Sequence, residues 1–307
     1  MPGSATASPG LIEDPAALSF RPADLPALPR PDRVLMADPE FFAVEYVGNP
    51  HMKGNLGCVD RFTARGQWKR LLESYVSLGI PVDVLPAVPL LADYVFTANQ
   101  ALSLPPGILA GGPAAVLSIM NSARRQAETG PVADFLCAAN VHLERLNPEL
   151  VPRFEGGGDA LWQPGRALLY GGVGPRSSIE AYRYLNAWTG LPIVVLGLVD
   201  PRFYHLDTCL SILDDDSALY YPGAFDEQGR QLLEKLFPQG LQVTEDEALQ
   251  MACNGHCPDG RNFLVQGGSD RVNQWLTERG FVVAELETSE FLLSGGSVFC
   301  MKQHYWV

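Results

Sequence analysis

The sequence predicts an α/β fold in which one hairpin–helix–strand unit repeats and closes into a ring. Three observations predict it. First, a short pattern recurs: an apolar stretch carrying one polar residue, then a turn and a second apolar stretch. It is found at VEYVGNPHM (44–52), YVFTANQALSLPPGILAGG (94–112), RFEGGGDALWQPGRALLYGG (153–172), YHLDTCLSILDDDSALYYPG (204–223), MACNGHCPDGRNFLVQGG (251–268) and GSVFCMKQHYWV (296–307). Second, its polar residues, Asn49, Asn99, Glu155, His205, Asn254 and Cys300, stand about 50 residues apart through the whole chain, a period typical of repeat architectures. Third, about five stretches of helical periodicity separate the six polar positions. The first and last fragments therefore complete one module between them. Closure removes exposed sheet edges and brings the polar residues toward a common axis.

The elements follow in order. Residues 1–30 hold Pro, Ala, Ser and Gly with little periodicity and read as a loose arm; residues 31–307 read as a single catalytic domain. A helix is predicted over 59–78, with Phe62, Trp68, Leu71, Leu72 and Tyr75 on one side. Others are predicted over 131–146, 177–189, 226–236 and 269–279, the last opened by the cap pair Ser269-Asp270. The β-rich stretches PVDVLP (81–86), IVVLGLV (193–199) and VVAELE (282–287) each follow a helix. QPGR and DDDS lie between apolar runs as hairpin loops do. The 30 Gly and 25 Pro fit short strands and frequent turns.

Composition narrows the function classes. A net charge of −13 argues against nucleic acid as a partner and suits a cationic ligand. With 47% hydrophobic residues a disordered chain is not expected. No run of 18 uncharged apolar residues suggests a membrane span, and the N-terminus lacks the basic start and apolar stretch of a secretory signal. The six Cys are too dispersed for a disulfide framework, so a cytoplasmic location is expected. Assembly into a homo-oligomer is left open.

Glu155, His205 and Cys300 supply a carboxylate, a base and a nucleophile at equivalent repeat positions. A Cys thiolate is reachable near neutral pH. A His can stabilise it as a pair and later move protons to a leaving group. A carboxylate can orient the ring or grip a cationic substrate. No cofactor is needed, since the thiolate supplies the chemistry.

The segments RFEGGGDALW, DPRFYHLDTC and LSGGSVFCM, with VEYVGNPHM and DYVFTANQALSL, resemble the guanidino-modifying superfamily often called penteins. That superfamily includes arginine deiminase, dimethylarginine dimethylaminohydrolase, the amidinotransferases and the bacterial arginine dihydrolases. The resemblance runs from about residue 32 to the C-terminus. It implies a pseudo-symmetric five-bladed α/β propeller of ββαβ units and a small cationic guanidino substrate. It further implies that Cys300 attacks the guanidinium carbon to form a thioether, that His205 protonates the departing amine and then activates water, and that Glu155 grips the guanidinium and supports His205. By the same resemblance Asp93, Phe96 and Asn99 line the substrate pocket. Arg125 and Arg176 hold the substrate α-carboxylate, Asp207 is a second guanidinium carboxylate, and Asn49 matches an Asn of the arginine dihydrolase type. Asn99 departs from the acidic residue usual in deiminases and dimethylarginine hydrolases, and FTAN resembles the dihydrolase type.

The resemblance implies C–N hydrolysis of a guanidino compound. The leading version yields ornithine and ammonia from arginine, and the second yields citrulline from a dimethylarginine. Amidine transfer to an amine is the alternative, and a non-catalytic amino-acid-binding protein a further one. Other clusters have plainer readings. Cys253, His256 and Cys257 lack the second pair of a zinc finger, so no metal is expected. Asp214-Asp215-Asp216 reads as a solvated turn rather than a calcium loop. GGVG (171–174) lacks the context of a nucleotide site. Cys58, Cys137 and Cys209 read as core residues.

Overall fold

In the computed structural model, which describes residues 10–307, three of the repeats become small sheets built on one antiparallel hairpin and one parallel crossover pairing. The second repeat is representative. Ala101–Leu104 turns back antiparallel onto Ala114–Leu117, the helix Thr129–Ala138 crosses over, and His142–Arg145 returns parallel to Ala114–Leu117. A parallel pair requires such a crossover, and the helix supplies it. The same order gives Ala160–Trp162, Leu169–Val173, helix Ile179–Thr189 and Ile193–Gly197. It recurs as Leu210–Ile212, Ala218–Tyr220, helix Glu227–Leu236 and Leu241–Gln242.

The remaining two sheets depart from this scheme. Asn262–Gln266 pairs with Val282–Leu286 across the helix Asp270–Glu278, and its hairpin partner is reduced to one bridge, His256 to Leu264. The first sheet has Arg33–Ala37, helix Arg61–Ser77 and Val82–Leu85, and its third strand comes from the far end of the chain. Gln303–Tyr305 lies antiparallel to Arg33–Ala37, with Gln303 opposite Leu35. The first repeat thus takes its third strand from the last stretch of the chain. The fold is mixed α/β.

The five crossover helices each turn an apolar stripe inward, with pairs four residues apart: Leu71 and Tyr75, Val132 and Leu136, Ala181 and Leu185, Leu232 and Leu236, Val272 and Leu276, all buried. Phe62, expected on such a stripe, is 89% exposed in the first helical turn. The second helix is shorter than its pattern. Asn140 takes a left-handed conformation (φ 60°), which Asn tolerates, and the residues beyond it form a strand instead. Ser269 stands at the start of its helix without a side-chain capping bond, whereas Asp226 caps the preceding one by accepting from Gly229 N at 2.7 Å.

Residues 10–30, expected as a loose arm, lie against the body. Leu11–Ile12 adds a parallel strand beside Ile193–Gly197, and Ile12 is buried in the core. Apolar side chains in a Pro-rich segment outweigh its irregularity here. Residues 1–9 of the arm lie outside the described residues. Cys58 and Cys137, expected in the core, are exposed, the first in a loop and the second near the end of its helix; Cys209 is buried. In the DDDS turn, Asp214 Oδ1 accepts from Asp216 N and Ser217 N, at 2.9 and 2.7 Å. No helix among the described residues is long and apolar enough to cross a membrane.

Candidate active site

The recurring polar residues stand just ahead of the first hairpin strand of their repeats, except Asn49, which the sequence placed with them. Asn99 closes the one-turn helix Thr97–Asn99, and Glu155 and His205 precede the one-turn helices Gly156–Asp159 and Leu206–Thr208. In each case the first hairpin strand follows directly. Asn49 instead lies after the strand Arg33–Ala37 and before the helix Arg61–Ser77, where it caps the helical turn Pro50–Met52 by accepting from His51 N at 2.9 Å. Asn254 precedes the His256 bridge, and Cys300 precedes Gln303–Tyr305.

The Cys300 sulfur is buried between two side chains. Asn254 donates from Nδ2 to Sγ at 3.2 Å, and the thiol donates to Asp207 Oδ2 at 3.2 Å. Asn254 Oδ1 in turn accepts from the backbone N–H of Ser297 and Cys300, at 3.1 and 3.3 Å. The Asn254 amide thereby fixes the loop that carries the nucleophile. Burial, then the neighbouring Asp207, pushes the Cys300 thiol well up, and burial pushes Asp207 up to about 7. The resting pair therefore shares a proton on sulfur.

His205 belongs to a second group. Its Nε2 meets Glu155 Oε2 at 2.7 Å. Glu155 is fully buried and saturated: Asn121 N donates to Oε1 at 2.9 Å, and Arg176 Nη1 donates to Oε2 at 3.2 Å. Burial works to raise Glu155, but His205, Arg176 and Arg125 bring it to about 2; burial lowers His205 to about 4. An ionised Glu155 only accepts, so His205 Nε2 carries the proton and Nδ1 keeps the lone pair. Two expectations change here. No hydrogen bond joins His205 to Cys300 among the described residues, so the thiol's partner is Asp207 rather than the imidazole. The Glu155 oxygens, expected to grip a guanidinium, are filled by protein donors and do not line the cavity.

That small cavity has Cys300, Asn49, Asp93, Phe96, Asn99, Arg125 and Arg176 among its lining residues, all seven of them singled out in the sequence. Asp93 accepts from Tyr46 OH at 2.6 Å and from Ser294 Oγ at 3.0 Å. Asn49 Nδ2 donates to Ser294 O at 2.9 Å. Arg125 grips Glu128 (2.8 Å) and donates from Nη1 to Asn99 Oδ1 at 2.9 Å. Among the described residues Asn99 Nδ2 then has no partner, and neither has Asp207 Oδ1. An unpartnered buried donor and an unpartnered buried acceptor beside one thiol are a site prepared for a polar ligand. Arg176 donates from Nη2 to Gly48 O at 2.9 Å and lies over the Tyr204 ring, 4.8 Å from its centroid.

Some positions carried too little signal to be found. Asp159 Oδ1 accepts from Leu206 N (3.0 Å), and Oδ2 accepts from Ser177 Oγ (2.6 Å), whose oxygen accepts from Glu155 N (2.9 Å). It ties the two halves of the His205–Glu155 pair. The recurrence of Asn254 marked a repeat position, but its neighbours ACNGHC gave it no chemical role. His256 Nδ1 meets Tyr75 OH at 2.9 Å, Cys253 is buried in the core, and Cys257 is half-buried.

Residues 59–306 match the eukaryotic N,N dimethylarginine dimethylhydrolase family. The chain belongs to that family. Among curated members it is 35% identical over 275 residues to N(G),N(G)-dimethylarginine dimethylaminohydrolase of Mycobacterium tuberculosis, covering 89% of this chain and 85% of that protein. It is also 35% identical over 271 residues to the bifunctional arginine dihydrolase/ornithine cyclodeaminase AgrE of a Nostoc strain, covering 88% of this chain but only 37% of that protein. The N-terminal domain of ArgZ, a cyanobacterial arginine dihydrolase solved with its substrate, superposes with a TM-score of 0.82 at 32% identity, over 89% of this chain and 97% of that one. A variant of the same domain has been solved covalently bonded to a reaction intermediate.

Proposed function

We propose that this family member is a cysteine-dependent guanidino hydrolase that carries arginine through to ornithine. Cys300 Sγ attacks the guanidinium carbon after its proton passes to Asp207, and the entering cation favours that transfer by stabilising the negative charge that appears on sulfur. The C–N bond to one terminal nitrogen breaks, and that nitrogen leaves as ammonia with the proton that came from the thiol, passed on through His205 Nδ1. Water, deprotonated by His205, adds to the thioether carbon and the C–S bond breaks, leaving a ureido group. A second round on the ureido carbon expels the other terminal nitrogen as ammonia and leaves a carbamate, which loses carbon dioxide to give ornithine. Arg125 and Arg176 are suited to the α-carboxylate, and Asp93 and Asp207 to the cation. We read the five sheets as blades of one α/β propeller, supported by the sheet that joins the first repeat to the last strand of the chain.

The observation that carries the arginine-to-ornithine version is the Asn99 amide. A guanidinium presents only donors, whereas a ureido group presents a carbonyl oxygen. With Oδ1 held by Arg125, the free Nδ2 of Asn99 offers that oxygen a hydrogen bond where a carboxylate would repel it. The second round is thereby supported. The test is Asn99→Asp with arginine as substrate, read for ornithine and citrulline. The variant is expected to accumulate citrulline, and unchanged ornithine output would overturn this role. The second reading, citrulline from a dimethylarginine, is favoured by the M. tuberculosis relative; methylamine release in place of ammonia identifies it.

A further inference from the structure

We propose a second ligand site in this protein: a cavity at the far end of the first hairpin strands from Cys300, walled by aromatic rings and suited to a flat organic carboxylate. The inference does not depend on which guanidino compound is turned over.

The catalytic residues precede the first hairpin strands. The second cavity lies where those strands end, at Trp162 of Ala160–Trp162 and Ile212 of Leu210–Ile212, and beside Trp306, which follows Gln303–Tyr305. It shares no lining residue with the cavity beside Cys300 and is the larger of the two. Five of its rings form a continuous wall: Trp162, Trp306, His304, His256 and Phe299, with successive centroids 6.2, 5.8, 5.8 and 5.8 Å apart. Both indole N–H groups are spent on backbone carbonyls, Trp162 on Ser103 O at 3.0 Å and Trp306 on Pro29 O at 3.2 Å. These two rings therefore offer a ligand flat apolar surface.

The imidazoles add polar atoms to that wall. His256 is 8% exposed, and its Nδ1 meets Tyr75 OH at 2.9 Å. Tyr75 is fully buried, and its hydroxyl has no other partner among the described residues, so it donates to Nδ1 and the ring proton stays on Nε2. His304 Nδ1 faces the Lys302 amine at 3.3 Å. An ammonium only donates, so here too Nε2 carries the proton. Neither Nε2–H has a partner among the described residues. Donors left open in a largely buried wall call for an acceptor.

Aromatic rings alone would take a cation as readily. Charge decides against it. The chain holds 35 Asp and Glu against 22 Lys and Arg, yet no carboxylate lines this cavity, whereas Arg30 and Arg166 do. Arg166 is committed to Asp215 at 2.6 Å. Arg30 has no ion pair among the described residues. Its guanidinium rests on Gly260, where a Cβ would lie 2.3 Å from Nη2. A carboxylate suits both the imidazole N–H donors and the planar Arg30 fork, and a flat ring attached to it suits the indoles. Inorganic phosphate would leave that aromatic surface unused.

Calorimetric titration of the full chain with indole-3-carboxylate tests the site, with indole-3-carboxamide as the uncharged control. The carboxylate is expected to bind saturably, the carboxamide about tenfold more weakly or worse, and Arg30→Gln to weaken the carboxylate about tenfold while kcat on arginine stays at the wild-type value. Ring 15N spectra must show the Nε2 signals of His256 and His304 shifting as the carboxylate is added. In Cys300→Ser, saturating arginine must not displace it, because the two cavities are separate. No saturable binding below about 1 mM, equal binding of the carboxamide, unshifted imidazole signals or displacement by arginine would each overturn the proposal. Apart from the Arg30→Gln comparison, none of these results depends on that variant folding.

Discussion

Asn254 holds Cys300 at both ends, donating to its sulfur at 3.2 Å and accepting from its backbone N–H at 3.3 Å. One amide therefore sets both the position of the nucleophilic atom and the loop that delivers it. Asn254→Ala removes the donor to sulfur and leaves two backbone N–H groups unpaired in a buried loop. We expect kcat to fall by about 10²-fold or more with a small change in KM, checked by steady-state kinetics on arginine. Asn254→Asp restores the acceptor but sets a carboxylate against the sulfur, so thiolate formation is expected to move to higher pH.

Gly158 gives a sharper steric test. A Cβ at this position would overlap Asn99 Nδ2 and lie 3.4 Å from His205 Cγ. The glycine allows the amide and the imidazole to approach each other. Gly158→Ala must push Asn99 off its bond to Arg125, because the fixed backbone cannot yield. Loss of ornithine formation is expected with a Tm within a few degrees of wild type, measured by product chromatography and thermal melting.

The His205–Glu155 pair makes stability depend on pH in a definite sense. Glu155 is held at about 2 in the fold, below its ordinary 4.5, so it stabilises the fold above pH 4.5 and that contribution is lost as pH falls toward 2. His205 is held at about 4, below its ordinary 6.5. The unfolded chain therefore takes up a proton between pH 6.5 and 4 that the fold refuses, and stability falls over that window too. Tm is expected to decline as pH drops from 6.5, and His205→Asn to flatten the part between 6.5 and 4. Calorimetric melts at stepped pH check both.

Much of this arrangement was legible in the sequence. The repeat of one polar residue before each hairpin located Asn99, Glu155, His205, Asn254 and Cys300, because a short loop entering a sheet end repeats its geometry when its apolar frame repeats. The helix boundaries were legible where a cap or a Gly marked them, as at Gly190, which takes φ 70° after Thr189. They failed at Asn140, where a single left-handed residue ends the helix without a Pro or Gly to signal it. The partner of each site residue was not legible. That the thiol pairs with Asp207 and the imidazole with Glu155 depends on side-chain directions across different sheets, which no local pattern carries. Burial of the 10–30 segment was hidden for a similar reason, since Ile12 finds its core in a strand more than 180 residues away.

The most direct measurement is the intact mass of the protein mixed with arginine and quenched in acid within the first turnovers, in wild type and in Cys300→Ser. Attack by Cys300 predicts an added mass equal to arginine less one ammonia, mapped by peptide digestion to Cys300, and no adduct or turnover in the serine variant. An adduct on another residue, or ornithine released by Cys300→Ser at the wild-type rate, would contradict it.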